Sequence, residues 1–362
     1  MVVGFFAPWI VDAAVLALHL VLPARRVTGY VRGADGRPLA YRLNGPLVLA
    51  AVLVLFAGAT GLGLIRADFF WEHRWEGLAG ACTLGVLFTL VTVIGAQPRG
   101  SSLARDLYLG RRENPQWPGG EGGPRADAKM VLYLIGAVQL ELNVLSFAAH
   151  HLVAYRGEAS PGVVLYAALF SFFVCDYLVF EEVHLYTYDL IAERVGFKLG
   201  WGCIAFYPYF YSVGLWAVAS WPDPHTPAWL LAVDTLVFLA GWVLSRGANL
   251  QKYLFKRDPG AKLLGLLAPR ALSGDGPQRI LCSGFWGVSR HVNYLGEILM
   301  ALGLTLVLGW PLSPWPWLYP LYYVALLVPR QADDDRRCAR KYGALWTEYC
   351  RRVPYRIVPG VY

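Results

Sequence analysis

The sequence predicts an all-α fold, a polytopic transmembrane helical bundle of nine to ten spans with a polar pocket at its C-terminal end. Three observations predict it. Of the 362 residues, 56% are hydrophobic and only 16% charged, whereas soluble domains carry roughly a quarter charged residues. Nine apolar stretches approach the ~20 residues that cross a bilayer as a helix. The connections between them alternate between basic and non-basic character, as topology requires.

The apolar stretches fall at 5–22, 46–65, 77–95, 130–152, 162–180, 201–220, 228–245, 294–308 and 315–328. The last two are short and flanked by Pro and Trp, so tilted, bent or re-entrant segments are expected there. The first connection holds Arg25, Arg26, Arg32, Arg37 and Arg42. The second sets Asp68, Glu72 and Glu76 against Arg66 and Arg74, and the third is again basic through Arg99, Arg105, Arg111, Arg112, Arg125 and Lys129. By the positive-inside rule the N-terminus is outside, the C-terminus is cytoplasmic and the number of spans is odd. An amphipathic stretch at 183–198 reads either as a helix lying in the interface or as a tenth span. The one long loop, 97–129, is rich in Gly, Pro and charge and is expected to be irregular and cytoplasmic. Residues 1–245 therefore form the transmembrane bundle. Residues 246–362 form an integrated C-terminal part with the last two spans and the tail.

Composition also excludes. The net charge of +7 sits in inter-helix segments and the tail, with no Lys/Arg stripe interleaved with stacking aromatics, so nucleic acid is not a partner. The six cysteines form no CxxC pair and read as small buried hydrophobes, which leaves no metal site. The apolar N-terminus lacks a basic leader and cleavage site and reads as a first span. No repeat or inverted pair of broken segments points to a transporter.

Ionisable groups inside spans are costly and mark interiors or cavities. The fourth span carries Gln139, Glu141, Asn143, His150 and His151, the seventh Asp234 and the eighth Glu297. Any one of them can serve as a helix-packing hydrogen bonder. The cluster Asp176, Glu181, Glu182, His184 and Asp189 reads either as a solvated helix end or as a source of a desolvated carboxyl that keeps its proton.

From Arg246 the character changes. On a continued helix Asn249, Lys252 and Lys256 share one face. Phosphate recognition needs Arg and Lys, and a flat heteroaromatic ring needs Trp or Tyr faces. This third supplies Lys252, Lys256, Arg290, Arg330, Arg336, Arg340, Lys341, Arg351, Arg352 and Arg356, with Trp286, Tyr294, Tyr342, Trp346, Tyr349 and Tyr355. No GxGxxG follows a strand, so a Rossmann domain is not the device. The bland reading of the basic tail is charge facing anionic lipid.

The strings GRRENP with Asp127 and Lys129, CDYLVFEEVHLYTYDL, GANLQKYLFK, SGFWGVSRHVNYLGE and RCARKYGALWTEYCRRVPYRIVPGVY resemble the sterol reductase family. That family takes in Δ14-, Δ7- and Δ24-type reductases and the membrane half of lamin B receptor. The resemblance covers nearly the whole chain. It implies a ten-span bundle with a cytoplasm-facing pocket for NADPH and a second, bilayer-facing pocket for sterol. By matched position, it implies NADPH contacts at Asn249, Lys252, Lys256, Leu281, Trp286, Arg290, His291, Asn293, Tyr294, Arg330, Asp334, Lys341, Tyr342, Trp346 and Tyr349. The reaction it implies is reduction of a sterol C=C bond, by protonation from an enzyme acid and hydride transfer from NADPH. The acid is drawn from Glu182, Glu181, Asp176, Tyr349 and Asp334. Sterol and membrane lipids are the implied partners, with no obligate protein partner. The membrane is the endoplasmic reticulum in a eukaryote or the inner membrane in a bacterium.

The chain departs from the family at several points. Lys256 stands where relatives often have Arg, and Phe285 where they have Trp. Relatives tend to read HRExRDD before the tail, where this chain reads Pro329-Arg330-Gln331-Ala332-Asp333-Asp334-Asp335. These departures, with LELNVLSFAAHH in the fourth span, point away from a standard Δ14 enzyme. Two other readings stay open. An integral membrane S-adenosylmethionine-dependent methyltransferase of the isoprenylcysteine or phospholipid type would share Arg290, His291 and Tyr294, although Val292 stands where those enzymes usually carry Pro. A non-catalytic binding protein on the same fold would be expected to lose cofactor residues that this chain keeps.

Overall fold

The computed structural model describes residues 2–33, 35–100, 102–117, 126–274 and 276–362. The part of the long loop at 118–125, including Arg125, lies outside the described residues. The chain packs as two compact units, Met1–Pro224 and His225–Tyr362. The sequence boundary at 245/246 falls inside a helix of the second unit.

The first unit runs α1 (Val2–Val21), a hairpin of β1 (Arg25–Arg32) and β2 (Pro38–Leu43), α2 (Gly45–Gly61), α3 (Phe69–Glu72), α4 (Arg74–Ile94), α5 (Leu103–Leu109), a short ladder of β3 (Gln116–Trp117) and β4 (Ala126–Asp127), α6 (Ala128–Ala154) and α7 (Pro161–Val179). Then follow α8 (Glu181–His184), α9 (Tyr188–Ala192), α10 (Phe197–Trp201), a π-helical turn (Gly202–Phe206), α11 (Tyr207–Phe210) and α12 (Val213–Val218). The second unit contains α13 (Ala228–Arg257), a hairpin of β5 (Ala271–Ser273) and β6 (Arg279–Leu281), a 3-10 turn (Gly284–Gly287), α14 (Val292–Val307), α15 (Pro314–Tyr342) and α16 (Ala344–Arg352). Among the described residues, α1, α4, α6, α7 and α13 are long and apolar enough to cross a membrane, and α2 and α14 are shorter apolar helices. The fold is mostly helical, with sheet confined to three hairpin-like ladders.

The core of the first unit is α6, most of which is buried. Asp127 caps it, accepting from the backbone N–H of Lys129 and Met130 at 3.0 and 3.1 Å. Its polar residues make packing hydrogen bonds, the plainer of the two sequence readings for single groups. Ser171 of α7 donates to Glu141 at 2.6 Å, and Gln139 donates to Asn143 at 3.1 Å. Asn143 in turn donates to the carbonyl of Pro208 at 3.0 Å. That contact belongs to a correction. The predicted span 201–220 is not one helix but the broken run from α10 to α12. Where α11 ends at Phe210 the ladder stops, and the carbonyls it frees are met by Asn143, which donates to that of Pro208, and by Ser212, which donates to those of Pro208 and Tyr209.

Two further expectations are corrected. The stretch 183–198 is neither an interfacial helix nor a span. It is the short pieces α8 and α9 with Leu185, Leu190 and Val195 buried. Its path is held from outside, because Lys129 donates to the Leu190 carbonyl at 2.9 Å and the Val195 N–H donates to the Arg112 carbonyl at 2.9 Å. The 97–129 loop is ordered where described. Arg111 donates to the Val93 and Ala96 carbonyls, and Arg112 to that of Gly95, so basic side chains satisfy the end of α4. The basic connection after α1 is a hairpin whose Arg42 does the same for α1, donating to the carbonyls of His19, Leu20 and Leu22.

In the second unit α13 runs 30 residues, well past the predicted end at 245, and α15 runs 29 residues rather than forming a short or re-entrant piece. Pro320 lies inside α15 without ending it. The carbonyl it cannot reach, that of Pro316, accepts from Thr305 of α14 at 2.9 Å. The α13 and α14 backbones approach closely at glycines. A Cβ on Gly296 would lie 2.4 Å from the Ser245 backbone nitrogen, and one on Gly241 would lie 2.6 Å from the Gly296 carbonyl oxygen. The six cysteines are free, and the expectation that they are buried hydrophobes is corrected for four of them. Only Cys203 and Cys282 are buried, and Cys175 is exposed on α7.

The substitution Gly296→Leu forces these helices apart and costs about 1–3 kcal/mol by overpacking, read as a lowered melting temperature of the purified protein in detergent. Gly58→Ala on α2, where an added Cβ meets nothing within 4 Å, leaves the melting temperature level or raises it by up to about 1 kcal/mol equivalent.

Candidate functional site

The C-terminal half of α13 and the stretch from the 3-10 turn to the start of α14 carry Lys252, Lys256, Trp286, Arg290 and Tyr294, and the other basic and aromatic residues singled out in the sequence lie on α15, α16 and the tail. Trp286 is fixed at both ends. Its indole N–H donates to the Ala248 carbonyl at 2.8 Å, and its own carbonyl accepts from the Tyr349 hydroxyl at 2.8 Å. The Lys252 ammonium lies 5.2 Å from the centre of the Trp286 ring, within cation–π range. The turn is seated on α13 by Gln251, whose side-chain oxygen accepts the Phe285 N–H at 3.1 Å. Gly284 makes that seat possible. Its φ of +60° suits glycine, and a Cβ there would lie 2.3 Å from the Gln251 amide nitrogen. Gly247 gives Phe285 room in the same way, since a Cβ would meet the ring at 2.3 Å. Asn293 donates to Asn249 at 3.4 Å, so two predicted contacts from different helices meet.

Leu281 is buried in β6, beside the cluster of Ile280, Cys282, Trp346, Tyr349 and Val353. Tyr349 therefore packs in a core, with its proton engaged on a backbone carbonyl. Burial pushes its hydroxyl well above the usual tyrosine range. Tyr342 lies at the edge of the same cluster with the Lys341 ammonium 4.9 Å from its ring centre. Burial also pushes the Cys338 thiol up to about 12, with Asp334 and Asp335 adding to the effect and the charges of Lys341 and Lys256 opposing it. Lys256 on α13 thus lies within electrostatic reach of the polar half of α15. Arg330 sits one turn before this set and is half-buried.

The strongest constellation in this unit was only half legible. Arg290 and His291 are buried, at 7% and 3% exposure, and both face Asp335. His291 Nε2 is 3.3 Å from Asp335 Oδ1, Arg290 Nη2 is 3.6 Å from Oδ2, and Arg356 Nε is 3.9 Å from Oδ2. Burial raises the Asp335 carboxyl, but the His291 hydrogen bond and the charges of His291, Arg290 and Arg356 outweigh it and hold the group below the usual range. Asp334, the predicted residue, is farther out, 3.9 Å from His291 Nδ1. In a run of three aspartates nothing marks which one faces inward. His291 stacks on Tyr294, with ring centres 5.0 Å apart. Arg290 Nε and Asn293 Oδ1 are buried with no hydrogen-bond partner among the described residues. The arrangement offers cations, flat aromatic faces and two unsatisfied buried polar atoms on one side of a helical scaffold, which suits an anionic, partly aromatic ligand.

The acidic cluster of the first unit divides by environment. Glu182 pairs with Arg25 at 2.7 Å. Glu181 is buried, and its carboxylate accepts the Gly45 N–H at 3.0 Å. Burial pushes it up to about 7, against the opposing pull of that hydrogen bond and of Arg25. Asp176 is half-buried on the last turn of α7. A separate group, Asp68, Glu72 and His150, has ligand atoms near enough for a cation, but Arg66 already occupies both Asp68 oxygens at 2.8 and 2.7 Å.

The family model described as the Ergosterol biosynthesis ERG4/ERG24 family matches residues 2–362. The chain is 34% identical to the Delta(14)-sterol reductase of Arabidopsis thaliana, over 94% of this chain and 91% of that protein. It is 36% identical to the Delta(14)-sterol reductase TM7SF2 of Mus musculus, over 96% and 82%. It is 31% identical to the Delta(14)-sterol reductase of Methylotuvimicrobium alcaliphilum, over 99% and 83%. The expectation that this chain stands apart from Δ14 enzymes runs against the names these relatives carry.

The Glu181 environment gives a pH dependence with a definite sign. Its carboxyl is raised on folding, so the associated stability is fully present below the unfolded value near 4.3 and is lost as pH rises through about 7. The melting temperature of the detergent-solubilised protein falls over that window, and Glu181→Gln flattens the fall. Parallel pH curves for the two proteins would contradict the assignment.

Proposed function

Because the chain belongs to the Ergosterol biosynthesis ERG4/ERG24 family, we propose that it is an integral membrane, NADPH-dependent sterol reductase acting on the Δ14 double bond of a sterol drawn from the bilayer. The observation that carries this reading is the arrangement around Trp286. Lys252 stands over an indole locked by Ala248 and Tyr349, with Asn249 and Asn293 beside it. The Δ14 position is the bond named for the relatives it resembles.

The residues present fit the cofactor. Arg290 Nε and Asn293 Oδ1 are buried polar atoms without a protein partner among the described residues, a state that costs free energy unless a ligand meets it. Lys252, Lys256 and Lys341 would hold the phosphates, each as a point charge rather than a bidentate fork. Trp286 and Tyr294 give faces for a flat ring. NADPH, when bound, supplies the hydride. The chain's own work is to orient, to keep water away and to provide a proton. A protonated sterol alkene is a carbocation, and an apolar helical bundle keeps water from it.

Among the acid candidates, Glu181 holds a proton near neutral pH, whereas Glu182 is committed to Arg25 and Tyr349 to the Trp286 carbonyl. Asp334, next to His291 and half-exposed, is the candidate within the cofactor-binding unit. The C-terminal tail lies on the cytoplasmic side, in keeping with its charge. Sterol and bilayer lipid are the partners, and no obligate protein partner or nucleic acid is required.

Expression in a yeast strain lacking its own Δ14-sterol reductase restores Δ14-saturated sterols, read by mass spectrometry, and an unchanged sterol profile would refute the Δ14 assignment. With purified protein, Lys252→Ala and Lys256→Ala each raise KM for NADPH by roughly 10–100-fold with little change in kcat, the loss expected for a charge-assisted contact. Tyr349→Phe keeps most of the turnover, because the proton it loses serves the Trp286 carbonyl. Tight S-adenosylmethionine binding with no response to NADPH would replace this reading with that of a methyltransferase.

A further inference from the structure

Asp335 is held by a residue outside the predicted site. Gln331, one turn earlier on α15, is fully buried and donates to Asp335 Oδ2 at 2.6 Å, the tightest contact that carboxylate makes with a side chain. With one oxygen tied to Gln331, the other is turned to His291. Gln331 is itself held. Its side-chain oxygen accepts from the Tyr362 hydroxyl at 3.3 Å, and that hydroxyl accepts from Arg356 at 3.1 Å.

Tyr362 also organises backbone. The N–H groups of Arg356, Ile357 and Val358 all donate to its backbone oxygen, at 2.8, 2.8 and 3.0 Å. This shapes residues 355–357 into a hook that grips the site from behind. The Arg290 N–H donates to the Tyr355 carbonyl at 3.0 Å, the His291 N–H to the Arg356 carbonyl at 2.8 Å, and the Ser289 hydroxyl to the Ile357 carbonyl at 2.9 Å. Two holds therefore converge on Arg290 and His291, one through side chains and one through backbone, and Tyr362 takes part in both.

We infer that Gln331 and Tyr362 are positioning residues that orient Asp335, and with it Arg290 and His291, for ligand binding. The reading of Arg290 and His291 as cofactor contacts is the premise of the functional half of this inference. The orientation itself is independent of which ligand binds. Among the described residues the hydrogen bonds of Trp286 and Asn293 involve neither residue, so the effect passes through Asp335 and the 355–357 hook.

The test uses the full chain in detergent with two readouts. The first is amide hydrogen exchange over 289–293 without added ligand. Gln331→Ala and Tyr362→Ala speed exchange there while leaving α6 unchanged, and Tyr362→Phe, which keeps the ring and backbone, gives a smaller effect. Exchange over 289–293 equal to the parent in both alanine variants overturns the inference. The second is KM for NADPH. Gln331→Ala raises it by about tenfold with kcat nearly unchanged, as expected when a binding group is mispositioned. Gln331→Ala combined with Asp335→Asn raises it by less than the product of the single effects, because both act on one contact. Multiplicative effects would overturn the route through Asp335. Faster exchange in a protein whose parent ignores NADPH would sustain the positioning role and count against the cofactor reading alone.

Discussion

A backbone carbonyl freed in an apolar bundle has no water to turn to, and the architecture of this chain follows from how each such carbonyl is met. At several helix ends and one proline, a polar side chain supplies the missing donor. Arg42 closes α1, Arg111 and Arg112 close α4, Asn143 and Ser212 meet the end of α11, and Thr305 meets the Pro316 carbonyl opposite Pro320. These are tertiary contacts that also complete secondary structure. Asn143 of α6 is central for that reason.

The candidate site uses the same device for a different end. Tyr349 meets the Trp286 carbonyl and Trp286 meets that of Ala248, so an aromatic face is fixed at two points on a scaffold of α13 and α16. Fixing an indole before a ligand arrives lowers the ordering cost of binding. Within the site two buried atoms, Arg290 Nε and Asn293 Oδ1, stay unmet among the described residues. They lie close in sequence, on either side of His291, beside the fixed indole, so a ligand that meets them there gains two hydrogen bonds.

Much of this was legible in the sequence and some was not, for physical reasons. Apolar length places a helix, so the nine apolar stretches all fall on helical elements. It does not report where a helix is broken, because the 201–220 stretch stays apolar through the π-helical turn and the compensation comes from Asn143, far away in sequence. Nor does it report how far a helix runs beyond the apolar zone. The polar halves of α13 and α15 are helical through ordinary i to i+4 bonding, and hydropathy is silent about them. The hairpin of β1 and β2 was hidden because its alternation is arginine against small apolar residues, which reads equally well as a basic loop. In the site, the cationic and aromatic residues were visible as composition and motif. Asp335, Gln331 and Gln251 were not, since their role lies in which face of a helix they occupy, and one polar residue among several carries no mark of facing inward.

The segment before the tail bears on the bond that is reduced. Its departures from the family string pointed away from a Δ14 enzyme, yet their positions on α15 argue that they carry little about substrate. Asp333, which replaces an arginine, faces Arg336 and Arg337 at 3.6 and 3.1 Å on a half-exposed surface of the helix, an arrangement that any charged pair there could provide. Gln331, which replaces a glutamate, faces inward and keeps its size and shape while exchanging a carboxylate oxygen for an N–H donor. That donor is what holds Asp335 against His291 and Arg290. Of these two departures, one thus falls on a half-exposed surface and the other changes the support of Arg290 and His291. Neither contact marks one double bond over another, so these departures do not count against the Δ14 bond named for the relatives.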